Sequence, residues 1–298
     1  MIKVIDLLKE GERLLARAEI MNPKVDSELL YCYIANINRS EIFLRGKDEV
    51  SENVQSRFFE LIGKRTKHIP LQHITGRQNF MGLDFKVSSD VLIPRPETEL
   101  LVEMAISEIN SLQQGKKSVK KERFFVLDLC TGSGAIGISV AKLADCEKIE
   151  VTCTDISEKA LEVAKLNSDS IGVEVEFSQG DLFEAVAEKR KTFDMILSNP
   201  PYIESNVIPH LQEEVLCHEP ILALDGGKDG LDLYRKIIAE APKFLNPNGI
   251  LIMEIGYNQK EALMSLIKNN GNYGENYGIQ DFAGKEQFQS ILCDWAIA

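Results

Sequence analysis

Across residues 1–75 apolar side chains recur every third or fourth place, the spacing of helices that each bury one face. Val4, Leu7, Leu8, Leu15 and Ala18 form one stripe; Val25, Leu29, Tyr33 and Ile34 form a second; Val54, Phe58, Leu61 and Ile62 form a third that begins near Ser51. Asn22 before Pro23 reads as a helix N-cap followed by proline at the first helical position, where the missing N–H costs nothing. This predicts a small all-helical domain over 1–75. Residues 76–96 change to a period of two, which predicts a β-hairpin linker. Pro94 and Pro96 then precede a helix over 97–109, and the lysine-rich stretch 111–123 reads as a solvated loop. Apolar runs at 124–129, 150–154, 173–177, 193–198 and 250–255 alternate with helical stretches, the signature of a parallel sheet covered on both faces. Two strand-like pieces end the sequence without a helix between them, which adds an antiparallel strand to that sheet.

Composition narrows the function more than the fold. Of 298 residues, 44% are hydrophobic and 27% charged, enough for a sizeable core and unlike disordered or collagenous chains. Lys and Arg total 34 against 46 Asp and Glu, a net charge of −12, so no general positive field draws the chain to nucleic acid or anionic lipid. Six cysteines without a C-x-x-C pair read as small buried residues of a reducing compartment. The N-terminus carries charge at every turn, and apolar stretches such as 135–141 fall short of the roughly 20 residues that span a membrane. A cytoplasmic location is expected. His68, His73, His210 and His218 show no metal or triad spacing, so no metal is expected.

Residues 126–137 pass from a buried strand through a glycine turn into a helix, with Gly132, Gly134 and Gly137 in G-x-G-x-x-G spacing and Asp155 at the end of the next strand. Alone, the pattern suits two kinds of enzyme. A nicotinamide dehydrogenase sets a pyrophosphate on the helix N-terminus; an S-adenosylmethionine enzyme sets the amino-acid and ribose parts of its cofactor there. Asp128 favours the second, since an acid at the mouth of the loop repels pyrophosphate and attracts ammonium and sulfonium charge. Asp181, past the third strand, adds an acid where adenine belongs. Each carboxylate alone is ordinary as a helix cap or a solvated residue; three at the carboxyl ends of successive strands suit the ligand crevice of an open α/β sheet.

The strand at 193–198 runs into Asn199-Pro200-Pro201-Tyr202. As punctuation, Asn-Pro-Pro is an ordinary turn. At the end of the fourth strand of such a sheet it matches the loop of methyltransferases that act on planar nitrogens. A conjugated nitrogen is a poor nucleophile, and the Asn199 side-chain oxygen and the Pro200 carbonyl are suited to accept its N–H groups, in bonds that strengthen as the nitrogen gains positive charge. Pro201 stiffens the loop without a competing N–H, and Tyr202 offers a ring to pack on the planar group. Asn199, Pro200 and Tyr202 are the catalytic candidates, and residues 199–202 the substrate-binding ones.

Nearly the whole chain resembles the protein-(glutamine-N5) methyltransferases that modify the Gly-Gly-Gln loop of class-1 peptide chain release factors. The resemblance rests on residues 70–76 (PLQHITG), 80–82 (FMG), 91–99 (VLIPRPETE), 128–134, 193–202, Glu219-Pro220 and 226–232 (GGKDGLD). It implies an α/β fold: a Rossmann-like class I methyltransferase domain over 97–298, with a mostly parallel seven-stranded sheet and an antiparallel edge-type hairpin, behind the hairpin linker and a helical domain that recognises the release factor. It implies S-adenosyl-L-methionine as methyl donor and S-adenosyl-L-homocysteine as product, with no metal. Cofactor contacts are expected from Cys130, Thr131, Gly132, Ser133, Gly134, Asp155, Leu182 and Asn199, beside Asp128 and Asp181. Cys130 stands where the family's loop often has its first glycine and is expected to avoid positive φ; Gly284-Lys285-Glu286-Gln287 stands where Gly-Arg-Asp-Arg is expected. The rivals are a ribosomal-protein glutamine methyltransferase, an adenine-N6 nucleic-acid methyltransferase disfavoured by the acidic balance, the dehydrogenase, and a binding module with no use for Asn199.

Overall fold

A computed structural model describes residues 2–113, 123–146, 148–188, 191–280 and 288–295. In chain order it begins with α1 (Val4–Arg17), α2 (Pro23–Ala35), α3 (Glu41–Arg45), α4 (Glu52–Arg65), α5 (Leu71–Thr75), β1 (Arg77–Phe80), β2 (Leu83–Lys86) and α6 (Glu99–Gln113). There follow β3 (Phe124–Leu129), α7 (Ala135–Leu143), β4 (Ile149–Asp155), α8 (Glu158–Ile171), β5 (Glu176–Gln179), α9 (Glu184–Ala187) and β6 (Phe193–Ser198). The chain continues through α10 (Glu213–His218), α11 (Asp232–Glu240), β7 (Leu245–Gly256), α12 (Lys260–Asn270), β8 (Tyr273–Gln280) and β9 (Phe288–Trp295). Two compact units result: Met1–Arg77 with Gln212–His218, and Gln78–Leu211 with Glu219–Ala298.

In the helical unit, Val4, Leu7, Leu8 and Leu15 of α1 meet Leu30 of α2 and Phe58, Leu61 and Ile62 of α4 in one core. The first and third stripes therefore face inward. The second does so only in part: Ile34 packs against the core, but α2 buries Asp26, Ser27, Leu30, Tyr31 and Cys32 and leaves Tyr33 42% exposed. Hydrophobic counting misses this face because it is partly polar, and it is stable inside because its polar groups are paired. Ser27 donates from Oγ to the Leu8 carbonyl at 2.9 Å, and Asp26 accepts from Arg65 Nε at 2.7 Å. Ser51 caps α4 by accepting from the Val54 N–H at 3.4 Å, whereas Asn22 makes no side-chain bond to the start of α2.

In the second unit β1 and β2 pair as a separate hairpin. Its two central residues, Met81 and Gly82, have φ of 52° and 74°, the left-handed pair that a tight hairpin of this twist demands. Met81 adopts that conformation while donating its N–H to Glu99 Oε1 at 2.7 Å. The large sheet has the order β5-β4-β3-β6-β7-β9-β8. β9 runs antiparallel to both β7 and β8, and the other pairings are parallel. One face packs Val126, Met195 and Ile252 against α6 and α7; the other packs Leu127, Ile196 and Leu251 against α11 and α12.

Several boundaries depart from the periodicity, among them the start of β7, which comes at Leu245 rather than 250. The third parallel strand starts at Glu176 rather than 173, because Val173 is engaged in closing α8: its N–H donates to the Ser168 carbonyl, and its own carbonyl accepts from Ser168 Oγ at 2.6 Å. The helix expected from 97 opens as a 3-10 turn at Pro96–Thr98. That helix then runs on through Gln113, into the stretch read as a solvated loop, of which 114–122 lie outside the described residues. Residues 284–287 also lie outside the described residues.

From β3 the chain proceeds to β4 and β5 on one side, then crosses to β6 and β7 on the other. Successive connections thus part at β3 and β6, opening a crevice beyond their carboxyl ends.

Candidate active site at the ends of the parallel strands

β3 leads at Leu129 into a turn in which Cys130, Gly132 and Gly134 all have positive φ, at 59°, 53° and 80°. Cys130 was expected to avoid this region. The chain reverses so sharply there that the left-handed conformation is imposed on a side-chain residue, at about 1–2 kcal/mol, while its side chain packs against the core. Burial, then the nearby Asp155 and Asp128 charges, push the Cys130 thiol upward. Gly137 serves packing instead: a Cβ there would lie 2.5 Å from Cys153 Sγ and 3.0 Å from Asp128 Oδ2. Gly137→Ala is expected to lift α7 off the sheet and cost about 1–3 kcal/mol, read from denaturant unfolding; unchanged stability would show that the helix can shift freely.

Asp128 is fully buried. Its Oδ2 accepts from Thr131 Oγ1 at 2.5 Å and from the Gly137 N–H at 2.9 Å, and its Oδ1 has no partner among the described residues. It shares the β3 face of Val126, under α7, and so sits beneath the loop rather than at its mouth. From there it braces the loop through Thr131 and Gly137 and is not part of the cavity wall. Burial pushes the carboxyl from its ordinary 3.8 up to about 7, against the lowering effect of those two hydrogen bonds. An acid that binds its proton more tightly folded than unfolded contributes stability that is complete below about pH 3.8 and lost as the pH rises to about 7. Asp128→Asn is expected to flatten that stretch of the stability curve measured by urea unfolding; a slope like the wild type's would assign the effect elsewhere.

The cavity above the loop holds about 240 Å³. Cys130, Thr131, Gly132 and Ser133 line one side of it, Asp155 comes from the end of β4, Asp181 and Leu182 follow β5, and Asn199 and Pro201 follow β6. Gly134, Asp128, Pro200 and Tyr202 are off its wall. Asp155 accepts from the Gly132 N–H and the Ser157 N–H, each at 2.9 Å, and burial raises its carboxyl despite both bonds. Leu182 takes φ 49°, a second strained residue in the cavity loops, and Asp181 Oδ2 stands 3.3 Å from Lys236 Nζ.

Asn199 donates from Nδ2 to Thr98 Oγ1 at 3.3 Å. Tyr202 is half-buried and packs partly against the core beside β7, and its carbonyl accepts from Gln259 Nε2 at 2.9 Å. The glycine-rich segment at 226–232 approaches this turn closely: a Cβ on Gly226 would lie 2.7 Å from Tyr202 Cα, so the two backbones touch. Val91, Leu92, Pro94, Arg95 and Thr98 line the cavity from the other side. Arg95 is held by Glu219 Oε1 at 2.5 Å, which connects that string to the Glu219-Pro220 pair. Motif reading passed over Thr98 as a partner of Asn199. It also passed over Glu254, whose signal was present: one acid inside the apolar strand Leu-Ile-Met-Glu-Ile-Gly. Among the described residues no cluster of three or more His, Cys, Asp or Glu is able to hold a metal, and no helix is long and apolar enough to cross a membrane.

Sheet order, glycine loop and Asn-Pro-Pro-Tyr turn together define a Rossmann-like methyltransferase. A methyltransferase-domain family matches residues 120–293, and the PrmC N-terminal domain family matches residues 6–76. The release factor glutamine methyltransferase of Clostridium acetobutylicum is 42% identical over 83% of this chain and 83% of its own; that of Moorella thermoacetica is 36% identical over 94% and 95%. The chain belongs to the release factor glutamine methyltransferase family. The fold is shared with the 16S rRNA N2 G1207 methyltransferase of T. thermophilus, solved in complex with AdoMet and guanosine, at 16% identity and a TM-score of 0.50 over 74% of this chain and 49% of that one.

Proposed function

We propose that this enzyme transfers a methyl group from S-adenosyl-L-methionine to the side-chain amide nitrogen of the glutamine in the Gly-Gly-Gln motif of class-1 release factors. The observation that carries the reading is the state of Asn199. Its Nδ2 is engaged with Thr98, so its Oδ1 is the end left to accept from a substrate N–H, at the wall of a cavity that also holds Asp155 and Asp181.

The cavity fits the donor. Residues 130–133 are suited to its amino-acid part, Asp155 to the ribose hydroxyls, and Asp181 with Leu182 to the adenine. Bound there, the donor supplies an electrophilic methyl on a positively charged sulfur, and no metal is required. Asn199 Oδ1 and the Pro200 carbonyl would grip the two N–H groups of the carboxamide and hold its nitrogen in line for attack. Positioning of this kind supplies much of the rate, and the two acceptors gain strength as the nitrogen becomes cationic; the C–S bond breaks to release S-adenosyl-L-homocysteine, and the surplus N–H proton passes to water. Pro201 keeps the loop rigid. The substrate class is supported by the names of the relatives, and the helical unit is the candidate for recognising the body of the factor in the cytoplasm.

The test is mass spectrometry of a purified class-1 release factor after incubation with the enzyme and S-adenosyl-L-methionine. A gain of one methyl on the Gly-Gly-Gln glutamine is expected. A methyl on another residue, or on a ribosomal protein in preference, would overturn the assignment.

A further inference from the structure

The strand β7 carries an acid that the reaction as described does not use. Glu254 is 2% exposed, and neither carboxyl oxygen has a hydrogen bond of ordinary geometry among the described residues. Ser198 pairs with Met253 across β6 and β7, so Glu254 lies beside Asn199. Strand alternation puts its side chain on the face of Ile252, towards the turn that carries Thr98. The polar groups facing the carboxyl are accordingly the Thr98 hydroxyl and the Asn199 carboxamide, with Glu97 and Arg95 the charges nearby. Arg95 is already paired with Glu219. Tyr202 and Tyr234 also lie near; burial raises both hydroxyls, and Tyr234 donates its own to the Glu254 main-chain carbonyl at 2.7 Å.

An unpartnered buried carboxyl is costly to keep, and an apolar side chain in its place is generally neutral or better for stability. Its surroundings supply a reason for it. A carboxamide is nearly symmetrical in shape, and only its hydrogen-bond partners decide which end faces outward. Turned the wrong way, Asn199 would present N–H to the substrate's N–H. Thr98 prevents this only if its oxygen accepts from Nδ2, and that requires another acceptor to take the hydroxyl proton. A carboxylate has no proton to offer and is able to do only that. We infer that Glu254 is a positioning residue for methyl transfer: it accepts from Thr98 and from Asn199 Nδ2, and so fixes the Asn199 oxygen towards the substrate amide. The contacts close when substrate engages the loop, as catalytic hydrogen bonds commonly tighten only in the complex. Negative charge behind the Asn199 amide also strengthens its oxygen as an acceptor, by polarising one hydrogen bond through the next. The inference rests on the proposed glutamine-methylating activity.

Burial raises the Glu254 carboxyl from 4.5 to about 7, so the positioning form gains occupancy as the pH passes that value. Turnover of the wild type should therefore rise across this interval. The experiment uses the full-length enzyme, an intact class-1 release factor and S-adenosyl-L-methionine, with kcat and both KM values measured between one pH unit below and one above that point. Glu254→Leu, which has no acceptor, is expected to lower kcat about 10- to 100-fold with both KM values little changed. Glu254→Gln keeps an acceptor oxygen but does not ionise; it should retain more of the activity and lose the rise with pH. Thr98→Val removes the intervening hydroxyl at nearly constant volume and should reproduce the kcat-only loss, which keeps the test decisive if the leucine variant folds poorly. Wild-type kcat in Glu254→Leu or Thr98→Val, or a wild-type pH profile in Glu254→Gln, overturns the assignment. A wild-type enzyme that leaves the factor unmethylated ends the glutamine reading and this inference together, whereas active wild type with unaffected variants ends this inference alone.

Discussion

Asn199→Ala is expected to reduce turnover about 10²–10³-fold, the usual cost of removing one hydrogen-bonding group aimed at charge that develops in the transition state. Binding of S-adenosyl-L-methionine, measured by titration calorimetry, should change little. The asymmetry follows from the site. Asn199 touches one edge of the cavity, whereas Cys130, Thr131, Gly132, Ser133, Asp155, Asp181 and Leu182 form the larger part suited to the donor. The alanine variant also frees Thr98 Oγ1, which is 4% exposed as a residue and loses its partner, so a modest loss of stability accompanies the kinetic one. The kinetic signature separates the two effects: kcat and kcat/KM for the release factor should fall together, because the contact matters most in the transition state. A variant with normal kcat and a raised KM would show instead that Asn199 serves only to hold substrate.

Several of these features could be read directly from sequence order and others could not. The alternation of strands and helices, the glycine loop and the Asn-Pro-Pro-Tyr turn depend on local spacing, and spacing is what a sequence displays. The inward face of α2 was misread because Asp26 and Ser27 are buried through partners far away in the chain, Leu8 and Arg65. Asp128 was placed at the loop mouth because its position in the motif is visible, while the face of β3 on which it lies is decided by packing under α7. The positive φ of Cys130 reflects a turn imposed by the sheet, which residue type alone does not reveal. The close approach of Gly226 to the Tyr202 backbone is likewise a contact between segments 24 residues apart. In each case the missing information was tertiary.

Arg65→Ala should destabilise the helical unit by about 3–5 kcal/mol. The Arg65 side chain is 5% exposed and its guanidinium has three partners: Nε donates to Asp26 Oδ2 at 2.7 Å, Nη1 to the Ile69 carbonyl at 3.1 Å, and Nη2 to Glu214 Oε1 at 2.5 Å. Removing it strands the Asp26 carboxylate, whose side chain is 11% exposed, among apolar neighbours. It also cuts an ion pair that ties α10 into this unit, although α10 is separated in sequence from α4 by the whole of β1 through β6. For that reason the point substitution is a cleaner probe of the unit than deletion of residues 1–75, which would leave Gln212–His218 without its packing partner. The less buried pair Arg39–Glu28, with the Arg39 side chain 50% and the Glu28 side chain 15% exposed, provides the contrast: Arg39→Ala should cost no more than about 1 kcal/mol. Replacing both buried partners, as Asp26→Leu with Arg65→Met, should recover much of the loss, since the penalty comes from an uncompensated charge rather than from the bond itself. Urea unfolding of the three variants checks the ordering. Equal destabilisation by Arg39→Ala and Arg65→Ala, or a double variant no better than Arg65→Ala, would show that the buried network does not carry the stability assigned to it.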